Sequence, residues 1–273
     1  MKNFLLYAGC GRAGSTWLYG ALNARGDCDF SHIKEHFLFV PFTLNPEFDK
    51  NNFFNHYHEL AKNPSVKLLG EMSPSNQYAS LQDLNRFKEE ADSRGFNVLP
   101  VMTLRDPINQ IMSSTKLFQN TKHLSKYVSS SSPEELSTAI RKMMAGEIPK
   151  SNLELTLEDI IQHGNEMYFD KKRLPWKTTY DNFIEVFGKI HVNFYETLFT
   201  DSAMNDLCEY LGIPFETFNF NEVLNKQGNN IPLSNDDKHK IYSSNSMLAE
   251  NYQFAVEKFG KDFIESIWWT PNK

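Results

Sequence analysis

The residues best suited to chemistry near the start of the chain form a glycine-rich segment, GCGRAGST, at residues 9–16. Small residues let the backbone curl so that successive N–H groups point inward, and a helix beginning there would add the positive end of its dipole. Such a segment binds phosphate-like anions. Its cation is Arg12, whereas an ATP-binding Walker loop carries Lys directly after the second glycine, where this chain has Ser15. The alternative interpretation is an ordinary glycine turn with an exposed arginine.

A second segment with chemical potential is LRDP, at residues 104–107, at the end of a strongly apolar run. Asp106 can cap a helix and Pro107 can occupy its first position, so the segment predicts a strand-to-helix turn. Ligands of parallel α/β sheets collect at the carboxyl ends of strands, which makes Arg105 a candidate for binding a second phosphate. A structural salt bridge is the alternative role for this arginine.

A third segment, KEHFLF, places Lys34 and Glu35 directly before an aromatic run. A carboxylate near an anion-binding loop can accept a proton from a substrate hydroxyl in a group-transfer reaction. The alternative is a solvated edge that precedes a buried strand or loop.

The elements around these segments alternate between strand and helix. The apolar run at residues 4–8 predicts a central parallel strand, and the residues after the glycine-rich segment predict a helix with one apolar face. Further strands are predicted at 66–70, 97–104 and 190–195, with helices at 15–24, 81–94, 107–118, 203–211 and 247–259, and one capped by Ser234. This alternation predicts an α/β fold with a central parallel sheet flanked by helices.

We expect one domain over residues 1–273. Between residues 118 and 175 no strand pattern occurs, and Thr156 to Asp159 reads as the start of a helix. The stretch 118–175 is therefore interpreted as a helical insertion and a candidate cover for an acceptor site.

Composition limits the partners and the compartment. The chain has 28 Lys and Arg against 34 Asp and Glu, a formal net charge of −6, which disfavours binding to nucleic acid. Three widely spaced cysteines without a CxxC pair argue against disulfides and a zinc site, and favour the cytoplasm. No run approaches the ~20 apolar residues of a membrane span. The apolar stretch at residues 4–8 is shorter than the ~7 to 15 residues of a signal sequence.

Taken together, these segments resemble the sulfotransferases that use 3′-phosphoadenosine-5′-phosphosulfate (PAPS). GCGRAGSTWL is similar to their 5′-phosphosulfate loop, and TLRDPINQIMSS is similar to their 3′-phosphate segment. GEMSP resembles their GEKSP-like segment, with Met72 where many relatives carry Lys, and FYETL with CEYLGIP resembles their YEDL strand end and following helix. The resemblance runs from about Phe4 to Pro214 and leaves the insertion uncovered. It implies a P-loop-containing nucleotide-hydrolase-like fold.

The resemblance also implies a reaction and a set of site residues. A sulfuryl group would move from PAPS to an acceptor hydroxyl without a metal, leaving adenosine 3′,5′-bisphosphate. Arg12 would hold the bridging and 5′-phosphate oxygens of the donor, and Glu35 would be the base, as in the carbohydrate and bacterial-type branches. His36 is the alternative base, because cytosolic small-molecule members use a histidine. Trp17 would stack on adenine or fill the core. The implied donor-binding residues are Gly11, Arg12, Ala13, Gly14, Ser15, Thr16, Trp17, Arg105 and Ser113.

Two other functions are compatible with the same segments. One is a P-loop nucleoside-triphosphate enzyme that uses magnesium with Asp106 as a ligand, although the Lys that this chemistry needs is missing. The other is a catalytically silent nucleotide-binding protein. For a transferase, the acceptor is open between an alcohol, a sugar, a small phenol and a peptide tyrosine, and the acidic charge balance disfavours a heavily sulfated polyanion.

Overall fold

The fold is described from a computed structural model, which covers residues 1–39, 52–124, 142, 147–148, 154–169, 174–221 and 232–271. The chain divides into two compact units. The first comprises Met1–Leu104 with Thr178–Leu224, and the second comprises Arg105–Lys177 with Asn225–Lys273. The assignment of one domain to residues 1–273 stays a prediction. So does the insertion at 118–175, part of which lies outside the described residues.

The first unit contains a five-stranded sheet in which every pairing is parallel. The order β2-β3-β1-β4-β5 places β1 at the centre, between β3 and β4. This position explains why β1 and β4 read as continuous apolar runs, since a central parallel strand is buried on both faces. The strands are β1 (Lys2–Tyr7), β2 (Cys28–Asp29), β3 (Leu68–Glu71), β4 (Phe96–Leu104) and β5 (His191–Phe194).

Helices connect the strands and make up the described part of the second unit. A short 3₁₀ helix, Pro74–Tyr78, follows β3. The α-helices are α1 (Ser15–Asn23), α2 (Phe53–Leu60), α3 (Leu81–Ser93), α4 (Pro107–Leu124), α5 (Leu157–Phe169), α6 (Trp176–Phe187), α7 (Asp201–Leu211), α8 (Asn235–Ser244), α9 (Ser246–Phe259) and α10 (Lys261–Ile267).

Alternate residues of β1 point to opposite faces of the sheet, and each face is covered by helices. Leu5 and Tyr7 belong to an apolar cluster that also contains residues of α1 and α7, such as Leu18 and Leu207. On the other face, the ring of Phe4 contacts the aromatic rings of α2 and α3, with its centroid 4.9 Å from that of Tyr57. The prediction of an α/β fold with a central parallel sheet flanked by helices is confirmed.

In the second unit, α4, α5, α8 and α9 share an apolar core. Its buried members include Ile111 of α4, Ile160 of α5 and Leu248 of α9. The helices α4 and α5 approach closely at Gly164, where a β-carbon would lie 2.5 Å from Ile111 Cδ1. The sequence prediction of a helix start at Thr156 is confirmed, because its hydroxyl accepts a hydrogen bond from the Asp159 N–H at 3.1 Å.

Replacing Gly70 by Ala tests the packing of β3. A β-carbon at Gly70 would lie 2.2 Å from Cε1 of the buried Phe30 ring, so the ring must move within a filled core. We expect Gly70→Ala to lower the free energy of unfolding by about 1–3 kcal/mol, the usual cost of overpacking. Urea unfolding measures it, with Gly26→Ala as the control because a β-carbon there meets no atom within 4 Å. Equal stabilities of the two variants would contradict this account of β3.

Candidate active site

The glycine-rich segment joins the end of β1 to the start of α1, as the sequence predicts. Its backbone is left-handed at Gly9 (φ 101°), Arg12 (φ 65°) and Gly14 (φ 89°). Gly14 is the N-cap of α1, and no side chain of the described residues caps the first turn of that helix. The first N–H groups of α1 are donors that a helix cannot satisfy internally, so this end of the helix suits an anion.

The segment is held against the sheet by backbone hydrogen bonds. The Cys10 N–H donates to the Thr103 carbonyl at 3.0 Å, and the Thr103 N–H donates to the Gly9 carbonyl at 2.8 Å. On its other side, a β-carbon at Gly14 would lie 3.2 Å from Leu198 Cδ2 and 3.3 Å from Tyr195 Cδ2. The FYETL residues after β5 therefore pack against the glycine that begins α1.

The KEHF residues are docked along the carboxyl end of β3 by three backbone contacts. The Lys34 carbonyl accepts a hydrogen bond from the Met72 N–H at 3.3 Å. The His36 N–H donates to Glu71 Oε1 at 3.1 Å, and the Phe37 N–H donates to the Ser73 hydroxyl at 3.1 Å. Met72 itself is fully buried in the apolar cluster beneath α1. Backbone contacts to the GEMSP residues therefore fix the direction in which the Lys34 and Glu35 side chains leave the chain.

Glu71 is the polar centre of this arrangement. Its side chain is fully buried and accepts hydrogen bonds from the Ser73 N–H at 3.0 Å, the Ser73 hydroxyl and the Asn76 amide. The same Asn76 amide donates to the Tyr7 carbonyl, at 3.0 Å, at the end of β1. Burial raises the pKa of Glu71, but the contacts from His36, Ser73 and Asn76 outweigh it and hold the pKa below its usual value. Glu71 is therefore a buried carboxylate that stays ionised because its donors surround it.

The lowered pKa of Glu71 predicts a dependence of stability on acid pH. A carboxyl whose folded pKa is depressed contributes stability above its unfolded pKa of about 4.3, and that stability disappears as the pH falls through the folded pKa. We expect Glu71→Gln to cost about 1.5–3 kcal/mol at pH 7, because it replaces a buried charged acceptor of several hydrogen bonds by a neutral amide. It should also flatten the decline of stability below pH 4.

Urea unfolding of wild type and Glu71→Gln from pH 7 to pH 3 measures both effects. The exposed Glu59→Gln variant is the control, since Glu59 forms an ion pair with Lys62 at the surface. A Glu71→Gln protein that is as stable as wild type at pH 7 would contradict the network account.

Lys34 connects the candidate base to the glycine-rich segment. Its ammonium forms an ion pair with Glu35 and donates to the Ser15 hydroxyl, at 3.4 Å, on the first residue of α1. The Lys34 and Glu35 side chains are 18% and 31% exposed, so the pair is partly shielded but still open to a substrate. Burial, with Cys10 and Glu35 nearby, raises the pKa of Tyr7, which ends β1. The carboxylate is thus linked through Lys34 to Ser15, which precedes it by twenty positions in the sequence.

His36 points away from this group. Its side chain is fully buried, with its ring centroid 5.3 Å from that of Phe53 and 5.6 Å from that of Tyr57. Its Nδ1 lies 3.7 Å from Glu71 Oε1. Of the two bases that the sequence leaves open, Glu35 is partly exposed and His36 is fully buried.

Trp17 lies in an aromatic cluster of the first unit. It is 5% exposed and its ring lies nearly parallel to that of Phe220, with centroids 5.8 Å apart, and edge-on to Phe199. These neighbours match the core-packing alternative of the two roles considered for Trp17. Trp17 also lines a groove of about 410 Å³ between α1 and residues 216–219.

In the second unit, Asp106 caps α4 as the sequence predicts. One carboxylate oxygen accepts from the Asn109 N–H at 2.9 Å and the other from the Trp269 N–H at 2.8 Å. The side chain is 1% exposed, and burial raises the pKa of Asp106 against the lowering effect of these hydrogen bonds. Both carboxylate oxygens of Asp106 therefore accept hydrogen bonds from backbone N–H groups. Arg105, the residue before this cap, and Ser113, which lies within α4, are both partly exposed.

Metal and membrane features are limited in the described part of the chain. There, no three His, Cys, Asp or Glu side chains are arranged to hold a metal ion. None of the helices described is both long and apolar enough to cross a bilayer.

No family model matches the chain, and no curated protein does. Among solved structures, the chain is similar to the sulfotransferase domain from the curacin biosynthetic pathway, at 16% sequence identity and a TM-score of 0.41. The match covers 79% of this chain and 75% of that chain. At that distance, function has to be inferred from the residues of the chain itself.

Proposed function

We propose that the protein is a sulfotransferase that moves a sulfuryl group from PAPS to the hydroxyl of an acceptor. The observation that carries the proposal is the Lys34 contact, which joins an accessible carboxylate, Glu35, to the first residue of a helix that begins in an anion-binding loop. Sulfuryl transfer needs this combination, because the base must lie next to the group being transferred.

The loop residues fit the anionic end of such a donor. The uncapped N–H groups at the start of α1 are suited to phosphate oxygens, and Arg12 supplies a planar cation that can bind two oxygens at once. The hydroxyls of Ser15 and Thr16 add two further donors. In the proposed reaction these groups stabilise the negative charge that accumulates on the leaving 5′-phosphate.

Glu35 is the proposed base, and it would accept the proton of the acceptor hydroxyl as that oxygen bonds to sulfur. Its exposure and the enclosure of His36 support this choice. A positioned base contributes typically ~10² to 10⁴-fold to the rate. The assignment of the 3′-phosphate to Arg105 and Ser113 comes from the sequence resemblance and completes the proposal.

The magnesium-dependent alternative lacks support at two positions. Ser15 replaces the Lys that a triphosphate enzyme needs, and both carboxylate oxygens of Asp106 hold backbone N–H groups. A catalytically silent nucleotide-binding protein would bind the same nucleotides, and the accessible Glu35 favours the enzyme over it.

Nucleotide binding tests the donor. We expect adenosine 3′,5′-bisphosphate to bind at least ten-fold more tightly than 5′-AMP or ATP, because Arg105 and Ser113 are proposed to bind the 3′-phosphate. Arg105→Ala should cost about 1.5–3 kcal/mol of binding, the range for a hydrogen bond to a charged group. Calorimetry measures both, with the exposed Arg86→Ala as the control. Equal affinities for 5′-AMP and the bisphosphate would contradict the assignment.

Substitution of Glu35 tests the base. Glu35→Gln should lower kcat by ~10² or more without weakening donor binding, because a base acts in the transition state. The exposed Glu59→Gln variant is the matched control and should turn over like wild type. His36→Asn should lower stability, since it leaves space in a buried aromatic cluster, with a much milder effect on kcat. Steady-state rates with saturating donor decide this, and full activity of Glu35→Gln would place the base elsewhere.

A further inference from the structure

We propose that Lys34 is a second cation for the 5′-phosphosulfate end of the donor, and that it holds Glu35 beside the group to be transferred. This inference rests on the proposed function. It assigns a direct role to a residue that the sequence marked only as the neighbour of the base.

The first support is the reach of the Lys34 side chain. Its ammonium is 3.4 Å from the hydroxyl of Ser15, which is 6% exposed and begins α1. An anion bound at the start of α1 would therefore meet Lys34 without a large movement of its side chain. An ammonium has three donor hydrogens, and the contacts with Ser15 and Glu35 use two of them.

The second support is the charge balance of the site. A carboxylate base must lie next to a donor that is itself strongly negative, and two negative groups in a partly shielded site repel each other. Within residues 9–16 the cationic side chain is that of Arg12. Lys34 lies between the carboxylate and the start of α1, so one positive charge can attract the anion and compensate Glu35 at the same time.

The third support is the way in which Lys34 is held. Its carbonyl accepts a hydrogen bond from the Met72 N–H. Two residues further along, the His36 N–H donates to the buried Glu71, so the backbone is held on both sides of Glu35. The side chain is 18% exposed, unlike Lys62 and Lys67, which are 61% and 57% exposed. A surface lysine gains little from an ion pair, whereas a partly buried and positioned one interacts more strongly.

The test compares ligands with and without a 5′-phosphate. Lys34→Met should weaken the binding of adenosine 3′,5′-bisphosphate by about ten-fold or more, in line with the loss of a hydrogen bond to a charged group. It should change the affinity for adenosine 3′-monophosphate by less than about two-fold. Lys34→Arg should restore most of the affinity for the bisphosphate, and the control Lys62→Met should leave the affinity for both nucleotides unchanged. With PAPS and an acceptor, Lys34→Met should raise the donor KM and lower kcat, because Glu35 loses the group that holds it.

The outcomes separate this inference from the proposed function. If Lys34→Met weakens the binding of both nucleotides equally, or of neither, the proposed role of Lys34 at the 5′-phosphate is overturned. If wild type binds the bisphosphate no better than 5′-AMP, the PAPS proposal fails. The role of Lys34 is then decided by comparing the affinity that Lys34→Met loses for 5′-AMP with the affinity that it loses for adenosine, which lacks the 5′-phosphate. Wild-type protein that binds none of these nucleotides overturns both.

Discussion

The buried carboxylate of Glu71 is the interaction on which the candidate site depends. It ends β3 and accepts hydrogen bonds from the His36 backbone, from Ser73 and from Asn76, whose amide also reaches the last residue of β1. Removing one donor leaves a buried charge short of compensation, which is costly in a protein interior. Two strand ends and the segment that carries Glu35 are thereby tied to one group.

The positions of the charged side chains of Lys34 and Glu35 follow from the hydrogen bonds to Glu71. Because the backbone at Lys34 and His36 is fixed on β3, the side chain of Lys34 extends to Ser15 and that of Glu35 stays accessible. His36 turns inward to the aromatic rings of α2 instead. Adjacent residues therefore have separate roles: a cation, an accessible carboxylate and a buried ring. In the proposed reaction this separation lets a base work next to an anionic donor.

Local patterns were sufficient to predict the frame of the molecule. The apolar runs of β1 and β4, the glycine-rich turn before α1, and the caps at Asp106, Thr156 and Ser234 are each determined by residues close in sequence. Five described elements escaped prediction: β2, α2, the 3₁₀ helix Pro74–Tyr78, α6 and α10. For the first two the physical reason is clear. The strand β2 has two residues, too few for a periodic pattern, and α2 mixes histidines with the aromatic residues that it buries.

The site was only partly predictable. The glycine-rich segment and Glu35 were identified from residue type, but the contact between Lys34 and Ser15 depends on the chain returning to α1 after β2, which no local pattern encodes. The role of Glu71 was missed as well, because a carboxylate at a strand end reads as an exposed polar residue. Its position after two buried leucines and a glycine of β3, and before Ser73 and Asn76, was the available signal. The roles of Arg105 and Ser113 stay predictions from resemblance.

The most direct test of sulfuryl transfer is an assay with sulfur-labelled PAPS in the presence of EDTA. The acceptors are one alcohol, one sugar, one small phenol and one tyrosine peptide. The account predicts label on at least one acceptor class, with adenosine 3′,5′-bisphosphate formed in equal amount and no requirement for added magnesium. It would be contradicted if none of the four classes acquired label from PAPS while the protein transferred the terminal phosphate of ATP in a reaction that EDTA abolished and magnesium restored.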